Sequence, residues 1–186
     1  MSVFMTTKTK DASARGTRDM VLTALFAAIL AAVAPFSVDI GPVPLTFATL
    51  VIYLASIVLG AKRAVMAVLI YILLGGLGLP VFSRFQGGFH VIAGVTGGFL
   101  IGYIPLAFVI GFLADKLGGN IFAYALGIVF GTILLYTVGV VWFMYLTGST
   151  FAAALMICVV PFLPGDAAKA IAACAIAPKL RKALQK

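Results

Sequence analysis

Apolar runs of helical length alternate with short segments rich in charge, glycine and proline along nearly the whole chain. We interpret each run as a membrane-crossing helix, because apolar stretches bounded by such residues are typical of transmembrane segments. The last run contains Pro161, Pro164 and Gly165, which we expect to break it. The pattern predicts six crossings, at about 20–37, 46–61, 64–78, 97–114, 121–146 and 151–178.

The connections between the runs are unusual for a membrane protein. Several runs are shorter than the roughly 20 residues that span a bilayer, so we expect the connecting segments to dip into the protein interior, shielded from lipid. The segment 37–46 contains Pro42 and Pro44, and the segment 78–99 is rich in glycine, aromatic and polar residues. We predict two outward-side loops folded over a cavity, with Gly97 and Gly98 opening the next helix.

Composition agrees with this interpretation. Of 186 residues, 63% are hydrophobic and 10% are charged, and the mean hydropathy is +1.22, which is typical of an integral membrane protein. We expect an all-α membrane protein with a single membrane domain over residues 1–186. Residues 1–19 are basic and lack a small-residue cleavage site, so they are interpreted as a cytoplasmic leader. The bundle itself is expected over 20–180.

The positive charges predict an orientation. With six crossings and the N-terminus inside, almost all basic residues lie on the cytoplasmic side and only Arg84 lies outside. Both termini are therefore expected in the cytoplasm. This orientation and anionic lipid explain the net charge of +8, and nucleic-acid binding is not favoured, since the charges are scattered over short segments. The inside set is Lys8, Lys10, Arg15, Arg18, Lys62, Arg63, Lys116, Lys179, Arg181, Lys182 and Lys186.

Two charges, Asp166 and Lys169, interrupt the last apolar run. An ionised side chain at a bilayer centre costs from about 2.5 to above 10 kcal/mol, so such residues are functional candidates. The alternative is a simple internal ion pair, because the i, i+3 spacing places both groups on one helix face.

Other chemistry has little support in the sequence. A phosphate-binding GxxxxGK motif followed by Ser or Thr is missing, so ATP binding is not indicated. His90 has no further metal ligands at suitable spacing, and no nucleophile is paired with a base. We predict neither an enzyme, a metal site nor a cofactor.

The first run contains rows of small residues. Ala24, Ala28 and Ala32 recur at i, i+4, and Ala27 and Ala31 form a second row beside them. Small rows allow another membrane helix to approach closely, so they indicate either a partner protein or packing within the bundle.

Five motifs together resemble a known family. They are GPVPLT at 41–46, GLPVF at 78–82, the pair Gly87 and Gly88, TGGF at 96–99 and PFLPGDAAK at 161–169. In this order and spacing they resemble the BioY family, the biotin-specific S components of energy-coupling factor (ECF) transporters. The chain departs from the family's usual Gln, Pro and Tyr at Ala48, Val95 and Phe99.

The resemblance implies the S-component fold and a function. It implies a prokaryotic plasma-membrane subunit that binds biotin from outside with high affinity, and has no ATPase of its own. It would deliver biotin by toppling against a transmembrane coupling protein that is bound to two cytoplasmic ATPases. The contact surface would be Ala24, Ala28 and Ala32, or Ala27 and Ala31, and Asp166 and Lys169 would contact the polar ends of biotin.

Ligand chemistry suggests further site residues. Biotin carries ureido donors and an acceptor, a thioether ring and a carboxylate, so a mostly apolar site with a few polar groups would suit it. Arg84 could bind the carboxylate, and Gln86 and Thr96 are neutral partners. Tyr71, Phe82 and Phe85 could cover the rings, or serve only in packing.

Three alternatives remain open at the level of sequence. The chain could be an S component for another vitamin, a biotin transporter that works without the coupling module, or a structural membrane protein without a ligand. The last is disfavoured because it gives the buried charges no role.

Overall fold

A computed structural model describes residues 2–38 and 42–184, with side chains from Gly16 onward. It is built almost entirely of helices, which confirms the all-α class. The helices are α1 Ser2–Val33, α2 Ala48–Leu59, α3 Ala61–Gly76, α4 Phe89–Ala93, α5 Gly97–Lys116, α6 Ile121–Thr147, α7 Phe151–Cys158 and α8 Leu163–Leu184. Two short strands, β1 Ser37–Val38 and β2 Leu45–Thr46, pair antiparallel, and Ser83–Phe85 form a 3-10 turn.

Local sequence signals explain several helix ends. The Asn120 side chain accepts a hydrogen bond of 2.8 Å from the Ala123 N–H and caps the start of α6. The same helix ends at Gly148, whose left-handed backbone (φ 66°) suits glycine. The side chain of Thr150 then caps α7 through the N–H of Ala153.

The first and last predicted helices differ from the observed ones. α1 extends through residues 2–19, which were expected as a leader, and it ends at Val33, just before Pro35, while residues 37–38 pair with β2. The last run bends by 50° between α7 and α8, and Pro161 lies in this break. Pro164 and Gly165 lie instead in the first turn of α8, where a missing N–H costs no helical hydrogen bond. α8 also continues past residue 178.

The lengths of the helices bear on the number of crossings. Within the described residues, three helices are long and apolar enough to cross a membrane, and the bent α7–α8 pair makes a fourth. α2 has 12 residues and α3 has 16. Counting both as crossings would give six, a number that stays a prediction.

Opposite charges meet at one end of the bundle. Arg63 at the start of α3 pairs with Asp19 of α1 at 2.5 Å, and Arg181 of α8 pairs with Asp115 of α5 at 2.9 Å. Arg18 donates to the carbonyl of Leu184. Three of the residues predicted to be cytoplasmic, Arg18, Arg63 and Arg181, thus lie at a common end, as the orientation requires, and Lys186 lies outside the described residues. The side of the membrane stays a prediction.

Glycines allow close contact between the helices. α5 and α6 form the most extensive helix pair. Gly98 of α5 lies against Trp142 of α6, and Gly127 of α6 lies against the backbone of Ile110. Such small residues are the usual means of close helix packing in membranes.

A substitution of Gly111 tests this packing. A Cβ atom at Gly111 would lie 2.3 Å from the backbone nitrogen of Ala61 and 2.5 Å from its Cα. Because backbone cannot move aside cheaply, we expect Gly111→Ala to destabilise the protein by about 1–3 kcal/mol. Thermal unfolding in detergent measures the effect. Gly16→Ala is the control, since nothing lies within 4 Å of a Cβ there. Equal stability of the two variants would contradict the prediction.

Candidate functional site

Asp166 and Lys169 lie in the first two turns of α8 and are buried, with only 7% and 8% of their surfaces exposed. Lys169 Nζ donates a hydrogen bond of 2.9 Å to Asp166 Oδ1, as their i, i+3 spacing on a helix allows. The two opposite charges therefore compensate each other inside the protein.

Lys169 also contacts the segment that leads into α2. Its ammonium donates to the Thr46 carbonyl at 2.7 Å and to Thr49 Oγ1 at 3.1 Å. Together with Asp166, these acceptors use all three N–H donors of the ammonium. The side chain consequently joins α8 to strand β2 and to the first turn of α2.

Asp166 is paired on both of its oxygens. Thr49 Oγ1 donates to Oδ1 at 3.2 Å, and the Tyr136 hydroxyl of α6 donates to Oδ2 at 2.7 Å. A buried ion pair is tolerable only when its remaining hydrogen-bonding positions are also satisfied. Four elements, β2, α2, α6 and α8, supply this network.

The pair faces a cavity. The space between its lining atoms, the open mouth included, is about 700 Å³. Residues 43–46 and the turn 82–86 both contribute to the lining, which confirms the prediction of two loops over a cavity. The polar lining is Thr46, Thr49, Ser83, Arg84, Gln86, Thr96, Tyr103, Tyr136, Asp166 and Lys169. The apolar lining is Val43, Pro44, Leu45, Phe82, Val91, Phe99, Leu100, Leu135 and Phe162.

Most of the residues predicted for the site lie in this lining. They are Asp166, Lys169, Arg84, Gln86, Thr96 and Phe82. Tyr71 is fully buried on α3 and packs edge-on against the Phe82 ring at 5.5 Å, outside the lining. Phe85 is 59% exposed and packs against Phe36 at 5.4 Å. The structure therefore does not bring Tyr71 or Phe85 to the cavity surface.

The turn that carries Arg84 has an uncommon backbone. Arg84 (φ 61°) and Phe85 (φ 56°) both adopt the left-handed backbone conformation that residues other than glycine rarely take. The Arg84 N–H donates to the Pro35 carbonyl at 3.1 Å, and the Gly88 N–H donates to the Gly75 carbonyl at 2.6 Å. Such strain is concentrated at functional sites, and here it places Arg84 in the lining.

Sequence reasoning missed five polar residues of the site. They are Thr46, Thr49, Ser83, Tyr103 and Tyr136, and single Ser, Thr and Tyr residues in membrane proteins are common and usually structural. Thr46 and Thr49 follow the Pro-rich segment at i, i+3, the same spacing as Asp166 and Lys169. That spacing was the available signal, because both residues lie where the chain enters α2, with Thr46 in β2 and Thr49 in the first turn of the helix.

The two alanine rows of α1 differ in burial. Ala24, Ala28 and Ala32 are exposed on the outer face of the helix, whereas Ala27 is 2% exposed within the core. Ala31 packs against the same core. Only the first row is therefore open to another protein.

Metal chemistry finds no support in the described part of the chain. No group of three or more His, Cys, Asp and Glu side chains lies close enough there to hold a metal ion. His90 is an exposed residue of the short helix α4.

Comparisons with known proteins agree with this architecture. The BioY family model matches residues 5–186. The biotin transporter BioY of Rhizobium etli is 39% identical over 168 residues, which are 84% of this chain and 89% of that protein. The biotin transporter BioY of Thermotoga maritima is 38% identical over 165 residues, which are 89% of this chain and 96% of that protein.

A solved structure has the same fold. It is the crystal structure of the S-component for biotin from an ECF-type ABC transporter, with a TM-score of 0.84 and 29% sequence identity over 90% of this chain and 93% of that chain. The expected S-component fold is thereby confirmed, and the apolar helices make the chain a multi-pass membrane protein. The matched relatives are transporters, which confirms that the chain is not an enzyme. The chain belongs to the BioY family.

Proposed function

We propose that this protein is a high-affinity biotin-binding S component that mediates biotin uptake together with an ATP-driven energy-coupling module. That module would consist of a transmembrane coupling protein and two cytoplasmic ATPase subunits. Membership in the BioY family supports biotin as the ligand, because the matched relatives are named biotin transporters.

The observation that carries the proposal is the buried ion pair at the cavity wall. Asp166 can accept hydrogen bonds from ureido N–H groups, while Lys169 or Arg84 can donate to a carbonyl or carboxylate. The remaining lining is largely apolar, as the rings and alkyl chain of biotin require. Because both charged groups are already fully hydrogen-bonded, biotin would enter by sharing or replacing bonds within the network.

The proposal includes a membrane arrangement. Six crossings would be formed by α1, α2, α3, α5, α6 and the bent α7–α8 pair, in a prokaryotic plasma membrane with both termini in the cytoplasm. The ion pairs Asp19–Arg63 and Asp115–Arg181 would then lie on the cytoplasmic side. The exposed row of Ala24, Ala28 and Ala32 would contact the coupling protein.

A ligand titration tests the binding function. The detergent-purified protein, freed of ligand, is titrated with biotin, thiamine and riboflavin by calorimetry. We expect saturable, tight binding of biotin alone, because the cavity combines one ion pair with an apolar wall. Binding of thiamine or riboflavin in preference to biotin, or no binding at all, would contradict biotin as the ligand.

A further inference from the structure

Two phenylalanine rings of the cavity wall each pack directly against a glycine of a neighbouring helix. Phe99 of α5 lies over Gly139 of α6, where an added Cβ would be only 2.5 Å from Phe99 Cε1 and Cζ. Phe82 lies over Gly75 of α3, where an added Cβ would be 2.2 Å from Phe82 Cζ. Both rings line the cavity, and both glycines are buried behind them. Each ring can therefore pack this closely against the helix that carries the glycine only because the glycine has no side chain.

The surroundings of Phe99 determine where a displaced ring would go. A normal carbon–carbon contact is about 3.5 Å, so a methyl group at residue 139 would push the ring by about 1 Å. Phe99 packs against both apolar clusters of the protein and also borders the cavity. Protein interiors are close-packed, so the cavity offers the open space into which the ring would move.

We infer that Gly139 and Gly75 set the width of the cavity and are thereby specificity-determining residues, although neither lines the cavity itself. This inference rests on the proposed biotin-binding function. It assigns a role to glycines that would otherwise be interpreted only as helix-packing residues. Gly139 is the cleaner site for a test, because the carbonyl of Gly75 also binds the Gly88 N–H.

The test compares two glycines of the same helix. Gly139→Ala places a methyl group against Phe99. Gly131→Ala is the matched control, because Gly131 is also buried in α6 and an added Cβ there lies 3.0 Å from Leu106 Cδ1 and 3.2 Å from Ile110 Cγ1. Neither Leu106 nor Ile110 belongs to the cavity lining. Both variants should lower the melting temperature of the ligand-free protein, and only Gly139→Ala should alter ligand binding.

Binding is measured on the monodisperse, full-length protein with biotin and with desthiobiotin, which keeps the ureido ring and carboxylate but lacks the sulfur-containing ring. We expect Gly139→Ala to weaken biotin binding by about tenfold and to shift the preference toward the narrower desthiobiotin, with Gly131→Ala within about threefold of the unmodified protein. Equal biotin affinity in the two variants, or an unchanged preference between the ligands, would overturn the inference. If the unmodified protein itself does not bind biotin, the proposed function fails instead.

A second variant covers the case in which Gly139→Ala does not fold. Adding Phe99→Leu to Gly139→Ala removes the ring that the methyl group would displace. We expect this double variant to purify and to bind biotin to within about threefold of Phe99→Leu alone, because the ring that the methyl group would displace is missing from both. Binding by the double variant that is about tenfold weaker than that of Phe99→Leu alone would overturn the inference, because the ring could not then be the cause.

Discussion

Asp166→Asn is expected to weaken biotin binding by at least about 100-fold and to lower the free energy of unfolding by about 3–5 kcal/mol. Removing one partner of a buried ion pair leaves the other charge uncompensated, which carries this cost. Here the Lys169 ammonium, 8% exposed, would lose its carboxylate contact at 2.9 Å. Calorimetric titration with biotin and thermal unfolding in detergent measure the two effects.

The control for this variant is Asp115→Asn. Asp115 also pairs with a basic residue, Arg181, at 2.9 Å, but half of its side chain is exposed at the end of the bundle. Exposed ion pairs contribute about 0–1 kcal/mol, so we expect a small change in stability and unchanged biotin binding. If Asp166→Asn bound biotin as well as Asp115→Asn does, Asp166 would not be a ligand group.

Removing both buried charges separates stability from binding. In the double variant Asp166→Asn with Lys169→Met, no uncompensated charge remains, and such replacements are often neutral or stabilising. We expect the melting temperature to recover most of the loss seen in Asp166→Asn, while biotin binding stays lost. Recovery of binding together with stability would show that the pair serves the fold alone.

The helices were predictable because apolar runs in a membrane protein have few alternatives. The segments 97–114 and 121–146 were found as α5 and α6 with ends shifted by at most two residues. The end of α1 was missed, since the predicted segment ran past Pro35 to residue 37, whereas Ser37 pairs with Thr46 of β2. A strand pairing of two residues depends on the fold that holds it, and no periodicity can be read from so short an element.

The site was only partly predictable for a related reason. Charged residues are rare within apolar runs and are functional candidates there, so Asp166 and Lys169 were found from the sequence alone. Their partner Thr49 lies about 120 residues earlier, and only the packing of α2 against α8 brings it into contact. Phe85 was expected at the ligand but points elsewhere, because the left-handed backbone at Arg84 and Phe85 redirects the chain. Arg and Phe are not among the residue types that favour this conformation, so the sequence gives no sign of it.

The choice between the two alanine rows also required the structure. Both rows have the same i, i+4 spacing, so the sequence left them equivalent. In the fold, the face of α1 that carries Phe26 and Leu30 is buried in the core, and Ala27 is buried with them. Large apolar residues beside a row do not reveal from the sequence which face of the helix is buried, because in a membrane such residues are as stable against lipid as in a protein core.

Ala28→Trp is expected to lower biotin uptake by more than about tenfold when the coupling module is present, and to leave biotin binding by the purified protein unchanged. Ala28 is exposed in the middle of the outer row and does not belong to the cavity lining. A bulky indole there would prevent the close helix approach that small residues permit. Uptake of labelled biotin is measured in cells that lack their own biotin transporter, with and without the coupling proteins.

The controls for this variant distinguish a docking surface from general disturbance. Val141→Trp adds a similar ring to an exposed position of α6, which is 61% accessible, and should leave uptake unchanged. Ala27→Trp forces the ring into the core and should unfold the protein, because overpacking of this size exceeds what a core tolerates. Normal uptake with Ala28→Trp would exclude the exposed row as the contact surface. Uptake that persists without the coupling proteins would instead indicate transport by this chain alone, and the exposed alanines would then need another partner.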